Sequence, residues 1–190
     1  GELHISVVDF YDISHPREVG ADSLLEFPPH KFNGPENSYS GALEMTNPNF
    51  KGSLVDYDKM ILQSVRRKET DFLLHRGVVP SWDNTARRQD SPTIVVGSTP
   101  SKFQIWLNAI RQLNNLKSQT TEPRLIFVNA WNEWAEGAHL EPDINNGLGN
   151  LEAIAKSQWI EDKVSSNEIQ KSVLLNLSHQ SSSLSHQASL

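Results

Sequence analysis

Apolar and polar positions change period several times along the chain, and each change marks an element. Four runs rich in β-formers read as strands: residues 3–10 (LHISVVDF), 22–27 (DSLLEF), 72–79 (FLLHRGVV) and 124–129 (RLIFVN). Pro28-Pro29 cuts off the second and Pro80 closes the third, while residues 93–96 form a shorter β-branched patch. Helical period appears between them. Asp56 can cap a helix over residues 57–67, with Met60, Ile61, Ser64 and Val65 on one face. Thr99 at the N-cap and Pro100 at the first helical position start a second helix. Its apolar stripe is Phe103, Trp106, Leu107, Ile110, Leu113 and Leu116, and it stops near Ser118. A further helix is expected over residues 150–159, after the turn Asn145-Asn146-Gly147, and a weak one over 164–177. Residues 31–53 are rich in Gly, Asn, Pro and Ser and read as a long loop, which at that length is usually functional or mobile.

Strands alternating with helices predict an α/β fold with a parallel sheet. Four strands do not close a barrel, and a complete eight-fold βα barrel takes about 250 residues. The pattern therefore predicts either a small open sheet or the C-terminal part of a (β/α)8 barrel. The sequence begins Gly-Glu-Leu with an apolar segment directly behind, which favours the barrel portion and an N-terminus lying upstream. Residues 1–160 are expected to hold the fold. Residues 161–190, rich in serine, are expected to be a low-complexity tail, disordered toward its end.

Composition narrows the function. A net charge of −6 and no basic stripe give no electrostatic footprint for nucleic acid, and no apolar run approaches bilayer-spanning length. The absence of cysteine excludes disulfides and thiolate metal sites and fits a reducing, cytoplasmic compartment.

The fourth strand runs straight into a dense cluster: Trp131, Asn132, Glu133, Trp134, Glu136, His139 and Glu141. In α/β folds ligands bind at the C-terminal ends of the strands. If the chain turns helically there, Glu133 and Glu136 share a face, with Cβ atoms about 5–6 Å apart. Two carboxylates so spaced suit glycosyl chemistry, one acting as base and the other as acid. Tryptophan faces stack on sugar rings, and Asn132 and His139 can bond hydroxyls. The competing reading is a solvated turn with packed aromatics. Glu133, Glu136 and His139 also match the spacing of carboxylate di-metal sites, but Gly137, Pro142 and the preceding strand oppose the long helix such sites need.

The segment FVNAWNEWAEGAHLEPD resembles the signature of the WbsX-type glycosyltransferase family, also described as glycoside hydrolase family 99-like. EFPPH (26–30), VPSWDNTARR (79–88) and Thr99-Pro100 leading to Phe103 and Trp106-Leu107 resemble the same family, in its order, and the likeness covers residues 3–160. It implies a (β/α)8 barrel, of which this chain is the C-terminal part. It also implies action on glycans in surface-polysaccharide assembly, with a glycan or sugar donor as substrate, no cofactor, and the upstream half of the barrel required. By analogy with the related endo-α-mannosidases, Glu133 would deprotonate a sugar 2-hydroxyl. That oxygen would attack its own anomeric carbon, and Glu136 would protonate the leaving oxygen. Ala135 stands where those hydrolases carry His. A non-catalytic carbohydrate-binding or assembly module on the same fold is the alternative.

Lesser candidates follow the other strands. Trp82 would stack a sugar, Asp83 and Asn84 would bind hydroxyls, and Arg87 could meet a phosphate or carboxylate. An Asx-type turn with solvated arginines is the competing reading there. His30 could reach the same rim or simply close a turn. Asp56-Tyr57-Asp58 could hold a divalent metal or cap its helix, and Asn176-Leu177-Ser178 matches a glycosylation sequon by pattern alone.

Overall fold

The computed structural model of the chain describes residues 3–10, 12–116, 124–157 and 164–187. Strands β1 (Ser6–Val8), β2 (Ser23–Leu25), β4 (Leu73–Val78) and β6 (Ile126–Val128) form a parallel sheet in the order β1-β2-β4-β6. These are cores of the four expected strands. Two short strands lie outside that sheet and pair in parallel with each other, β3 (Ser53–Asp56) and β5 (Thr93–Val96). The patch at 93–96 was anticipated; β3 falls where a loop and a helix cap were expected.

Two helices cover one face of the sheet. In α1 (Tyr57–Arg66), Asp56 Oδ1 accepts from the N–H groups of Asp58 (2.9 Å) and Lys59 (3.2 Å), while Asp58 pairs with Lys102 at 2.8 Å. The Asp-x-Asp sequence thus caps a helix. In α3 (Pro100–Leu116), the Thr99 hydroxyl accepts from Lys102 N–H at 3.2 Å. Phe103, Trp106, Leu107, Ile110 and Leu113 are buried as the stripe predicts, whereas Leu116 lies at the helix end, 37% exposed. Tyr57, Met60, Ile61 and Val65 of α1 meet these side chains and Val78 of β4 in the main core. The Tyr57 hydroxyl donates to the Val79 carbonyl at 2.7 Å, and the Trp106 indole N–H donates to Ser64 Oγ at 3.0 Å.

Beyond β6, α4 (Gly149–Lys156) forms near its expected place, and the remainder of that prediction, up to Trp159, lies outside the described residues. The helix expected over residues 164–177 forms as α5, which runs from Ser166 to Gln187, past the expected end, and packs on α3 and α1. Ile169, Val173 and Leu177 recur every four residues and are buried in the main core. This short apolar stripe, covered by α3 and α1, is what seats the helix despite its serine-rich composition.

Residues of β2 and β4 alternate between the two faces. Leu24, Leu74 and Val78 face the helices. Their helix-side neighbours Asp9, Glu26 and Arg76 are buried charges. Glu26 accepts from Arg76 (2.8 Å) and Arg67 (3.0 Å), Asp9 pairs with Arg67 (3.1 Å) and Lys31 (2.6 Å), and Arg76 also donates to the Ser64 carbonyl at 2.6 Å. The opposite face carries Ser6, Ser23, His75 and Phe127. There Ser6 and Ser23 share a 2.7 Å hydrogen bond, and the His75 and Phe127 rings lie 5.8 Å apart. This second face is open at its edge, with Leu125 and Phe127 49% and 37% exposed.

Candidate active site

The strand ends are tied together before the cluster begins. Asn129, just past β6, donates its backbone N–H to the Val78 carbonyl (2.9 Å) and its side-chain amide to the Pro28 carbonyl (2.8 Å), linking the ends of β6, β4 and β2. The chain then makes an antiparallel hairpin of β7 (Asn132–Glu133) and β8 (Ala138–His139), not the expected helical turn. Trp134–Glu136 forms a single 3-10 turn at its tip, and Gly137 closes it in the left-handed region at φ 60°. Glu133 and Glu136 therefore sit on a strand and a tight turn, not on one helical face.

The loop after β4 holds this hairpin from below. Asp83 N–H donates to the Glu136 carbonyl (2.8 Å), and the Ser81 hydroxyl donates to the Gly137 carbonyl (2.5 Å). A Cβ at Gly137 would lie 3.0 Å from the Asp83 nitrogen in a backbone conformation that L-residues avoid. Gly137→Ala is therefore expected to cost about 1–2 kcal/mol and to loosen the hairpin, read as a lowered melting temperature with faster amide exchange at residues 132–139.

Of the predicted residues, Trp131 and Trp134 are 53% and 50% exposed, Glu133 is exposed, and Glu136 is largely enclosed and forms an ion pair with Arg87. The Trp134 ring stacks on His139 at 3.8 Å and its N–H donates to Glu141 at 2.7 Å. His139 Nε2 lies 3.0 Å from Asp143, while its Nδ1 is buried without a hydrogen-bond partner among the described residues. Asn132 pairs opposite His139 in the hairpin and is exposed. Trp131, Asn132, Glu133, Trp134, Glu136, His139 and Glu141 thus share one hairpin at the strand ends.

The β4 loop contributes less than expected. Trp82 is 3% exposed and belongs to the main core, because β5 lies along it, Val95 N–H donating to the Trp82 carbonyl at 2.8 Å. It offers no open stacking face. Asn84 is buried, its amide oxygen accepting from Thr93 N–H at 2.8 Å, so it fastens β5 and is not open to sugar hydroxyls. Asp83 makes the Asx-type turn, accepting from Thr85 N–H at 2.9 Å. Arg87, on the short helix α2 (Thr85–Arg88), reaches the hairpin through its side chain, by way of Glu136.

His30 comes to this rim as well. Its ring meets Phe10 edge-on at 4.5 Å and Trp82 at 5.7 Å, and its Nδ1 lies 3.2 Å from the Phe27 carbonyl. Burial lowers its pKa below the ordinary 6.5; the Phe27 carbonyl and Glu136 oppose that shift, and Arg87 adds to it. His75, on the open sheet face, is lowered too, first by burial and then by His4 and Arg124. Both rings resist in the folded chain a proton they accept when unfolded. Their contribution to stability is full above pH 6.5 and is lost as pH falls through the lowered values. Melting temperature is expected to drop below that pH, and His30→Gln to flatten the dependence, in melts between about pH 5 and 8.

Sequence reading missed Asp143. Burial pushes its carboxyl up, but the N–H of Asn146, His139, the Asn146 amide and the N–H of Asn145 outweigh this and hold it below the usual 3.8. It orients His139 and closes the turn ahead of α4; its place between Pro142 and Asn145-Asn146-Gly147 was the available signal. The buried ion pairing of Asp9 and Glu26 was missed also, though each is an acid set within an otherwise apolar run.

Among the described residues no helix is long and apolar enough to cross a membrane. No solved structure matches the chain. It is similar to proteins of two strains of Xanthomonas campestris pv. campestris, each described as uncharacterized protein WxcX, at 36% identity over 153 residues. That stretch is 80% of this chain and 22% of each relative, so the chain spans about a fifth of their length. Residues 1–154 match the family described as glycosyltransferase WbsX, and the chain belongs to that family.

Proposed function

We propose that the chain is the C-terminal part of a (β/α)8 barrel and carries its acid/base pair, Glu133 and Glu136, for making or breaking glycosidic bonds. The observation that supports this most is the hairpin itself. It sets two carboxylates and two half-exposed tryptophans at the C-terminal ends of parallel strands, where α/β enzymes bind substrate. In the barrel reading, the open sheet face with Leu125 and Phe127 becomes inner wall, packed against strands of the upstream half.

In this reading Glu133, which is exposed and without a partner among the described residues, accepts a proton from a sugar 2-hydroxyl. The oxygen so freed attacks the adjacent anomeric carbon as the bond to the leaving oxygen breaks, and Glu136 supplies the proton that oxygen takes. To donate, Glu136 must leave its ion pair, so Arg87 turns to another anion or to solvent on substrate binding. A second sugar or water then opens the 1,2-anhydro ring, giving its proton to Glu136 while Glu133 returns its own to the 2-oxygen. Trp131 and Trp134 would stack on the sugar, with Asn132, His139 and Glu141 as hydroxyl partners. We place this activity in surface-polysaccharide metabolism in a cytoplasmic compartment, with neither metal nor organic cofactor.

The alternative, a carbohydrate-binding module, rests on the same tryptophans without the glutamates. Glycan titration separates the two. The enzyme reading expects turnover by the longer protein, with binding kept and turnover lost in Glu133→Gln and Glu136→Gln. Binding without turnover in the unaltered protein, undiminished in both variants, would overturn it.

A further inference from the structure

A cavity of about 620 Å³ lies away from the hairpin, between α1 and the segment 31–37. That is the size of a small-ligand pocket. Lys59, Gln63 and Arg66 line it from one face of α1, at spacings of four and three residues, and Lys31, Asn37 and Arg67 close it from the other sides. Lys31, Lys59, Arg66, Arg67 and the adjoining Arg76 outnumber the neighbouring Asp9, Glu26 and Glu36, on a chain whose net charge is −6. The chain therefore gathers positive charge here against its overall balance.

The cations differ in how they are held. Buried Asp9 fixes Lys31 (2.6 Å) and Arg67 (3.1 Å) from behind, and buried Glu26 fixes Arg67 at 3.0 Å, so these two are pre-positioned. Lys31 stands in the left-handed region at φ 64°, a backbone conformation uncommon for a residue with a Cβ. Lys59 gives one bond, to the Ser38 carbonyl at 2.8 Å, leaving its other donor hydrogens for a ligand. Arg66 is exposed and has no hydrogen-bond or ion-pair partner among the described residues. Asn37 and Gln63 are bonded to each other, and Gln63 donates to Glu36 at 3.2 Å, so the one acid on the rim is already engaged.

We propose that this cavity binds a phosphoryl group. A guanidinium fork and an ammonium group lining one cavity from the same face of α1, two turns apart, suit a doubly charged tetrahedral anion better than a single carboxylate. The group could belong to a nucleoside diphosphate, a sugar phosphate or free phosphate. The site lies outside the hairpin and does not depend on the glycosyl reading.

The test is calorimetric titration of the full chain at low ionic strength with inorganic phosphate, pyrophosphate, glucose 1-phosphate and uridine diphosphate in turn. At least one probe is expected to bind saturably. Lys59→Gln with Arg66→Gln is expected to weaken that binding about tenfold or more, as loss of two charge-assisted bonds implies, with the melting temperature unchanged. Lys171→Gln, on α5, should leave it intact. Pyrophosphate alone would identify a diphosphate site, and glucose 1-phosphate or uridine diphosphate above both inorganic ions would show that the sugar or nucleoside is read too. Saturable binding of none of the four, or equal weakening by Lys171→Gln, would overturn the proposal.

Discussion

Turnover by the longer protein is expected to fall by about 10²–10⁴-fold when either Glu133 or Glu136 becomes Gln, the range for losing a general acid or base. Glutamine keeps the shape of each side chain but removes its charge and its ability to exchange a proton. Neither change should disturb the fold. Glu133 is exposed, and Glu136 gives up an ion pair with a guanidinium that is 57% exposed and solvates readily. The two variants should differ by leaving group. A substrate whose leaving oxygen is already a good anion needs no proton, so Glu136→Gln should be largely rescued by it while Glu133→Gln is not. Steady-state kinetics on an activated and an ordinary glycoside would show this. Equal rescue of both would remove the assigned division of roles.

The largest stability effect is expected at a residue far from that chemistry. Glu26 is 2% exposed and accepts from Arg76, Arg67 and the Gly77 N–H. Glu26→Ala strands a buried Arg76 and half of the Arg67 pairing, and breaking a buried pair from one side costs about 3–5 kcal/mol. That is a large share of the roughly 5–15 kcal/mol that holds a domain together. The cost comes from the unpaired charge rather than from the lost contact. Glu26→Met combined with Arg76→Met should therefore be considerably more stable than Glu26→Ala alone, as urea midpoints would report. A double variant no better than the single would mean that the charges themselves, and not their mutual satisfaction, support the sheet.

What could be read from the sequence was what local chemistry decides. Thr99-Pro100 starts α3 because a hydroxyl cap and a proline without an N–H suit a helix N-terminus wherever it folds. The four main strands were legible because buried parallel strands are continuous apolar runs. Position at a strand end likewise located the cluster around Glu133 and Glu136, which lies on the hairpin just past β6. What was not legible depends on distant partners. The tip of the hairpin takes its shape from Gly137 pressed against Asp83, more than fifty residues earlier. Trp82 looked like an exposed platform until β5 lay along it, and Asn84 like a sugar ligand until Thr93 took its oxygen. The four residues of β3, and the continuation of α5 past Leu177, carry too little periodic signal to stand out in the sequence. Arg87 was expected to meet an anion; within the chain, the anion is Glu136.

One measurement bears most directly on the central claim. The longer protein, incubated with a panel of nucleotide sugars and α-linked oligosaccharides and followed by mass, should yield products in which a glycosidic bond has been made or broken. Free sugar from the oligosaccharides would identify a hydrolase, and a lengthened glycan formed only with a nucleotide sugar a transferase. Either should vanish with Glu133→Gln or Glu136→Gln. Glycans bound but unchanged in every mixture would contradict the account and leave the hairpin tryptophans as a binding surface.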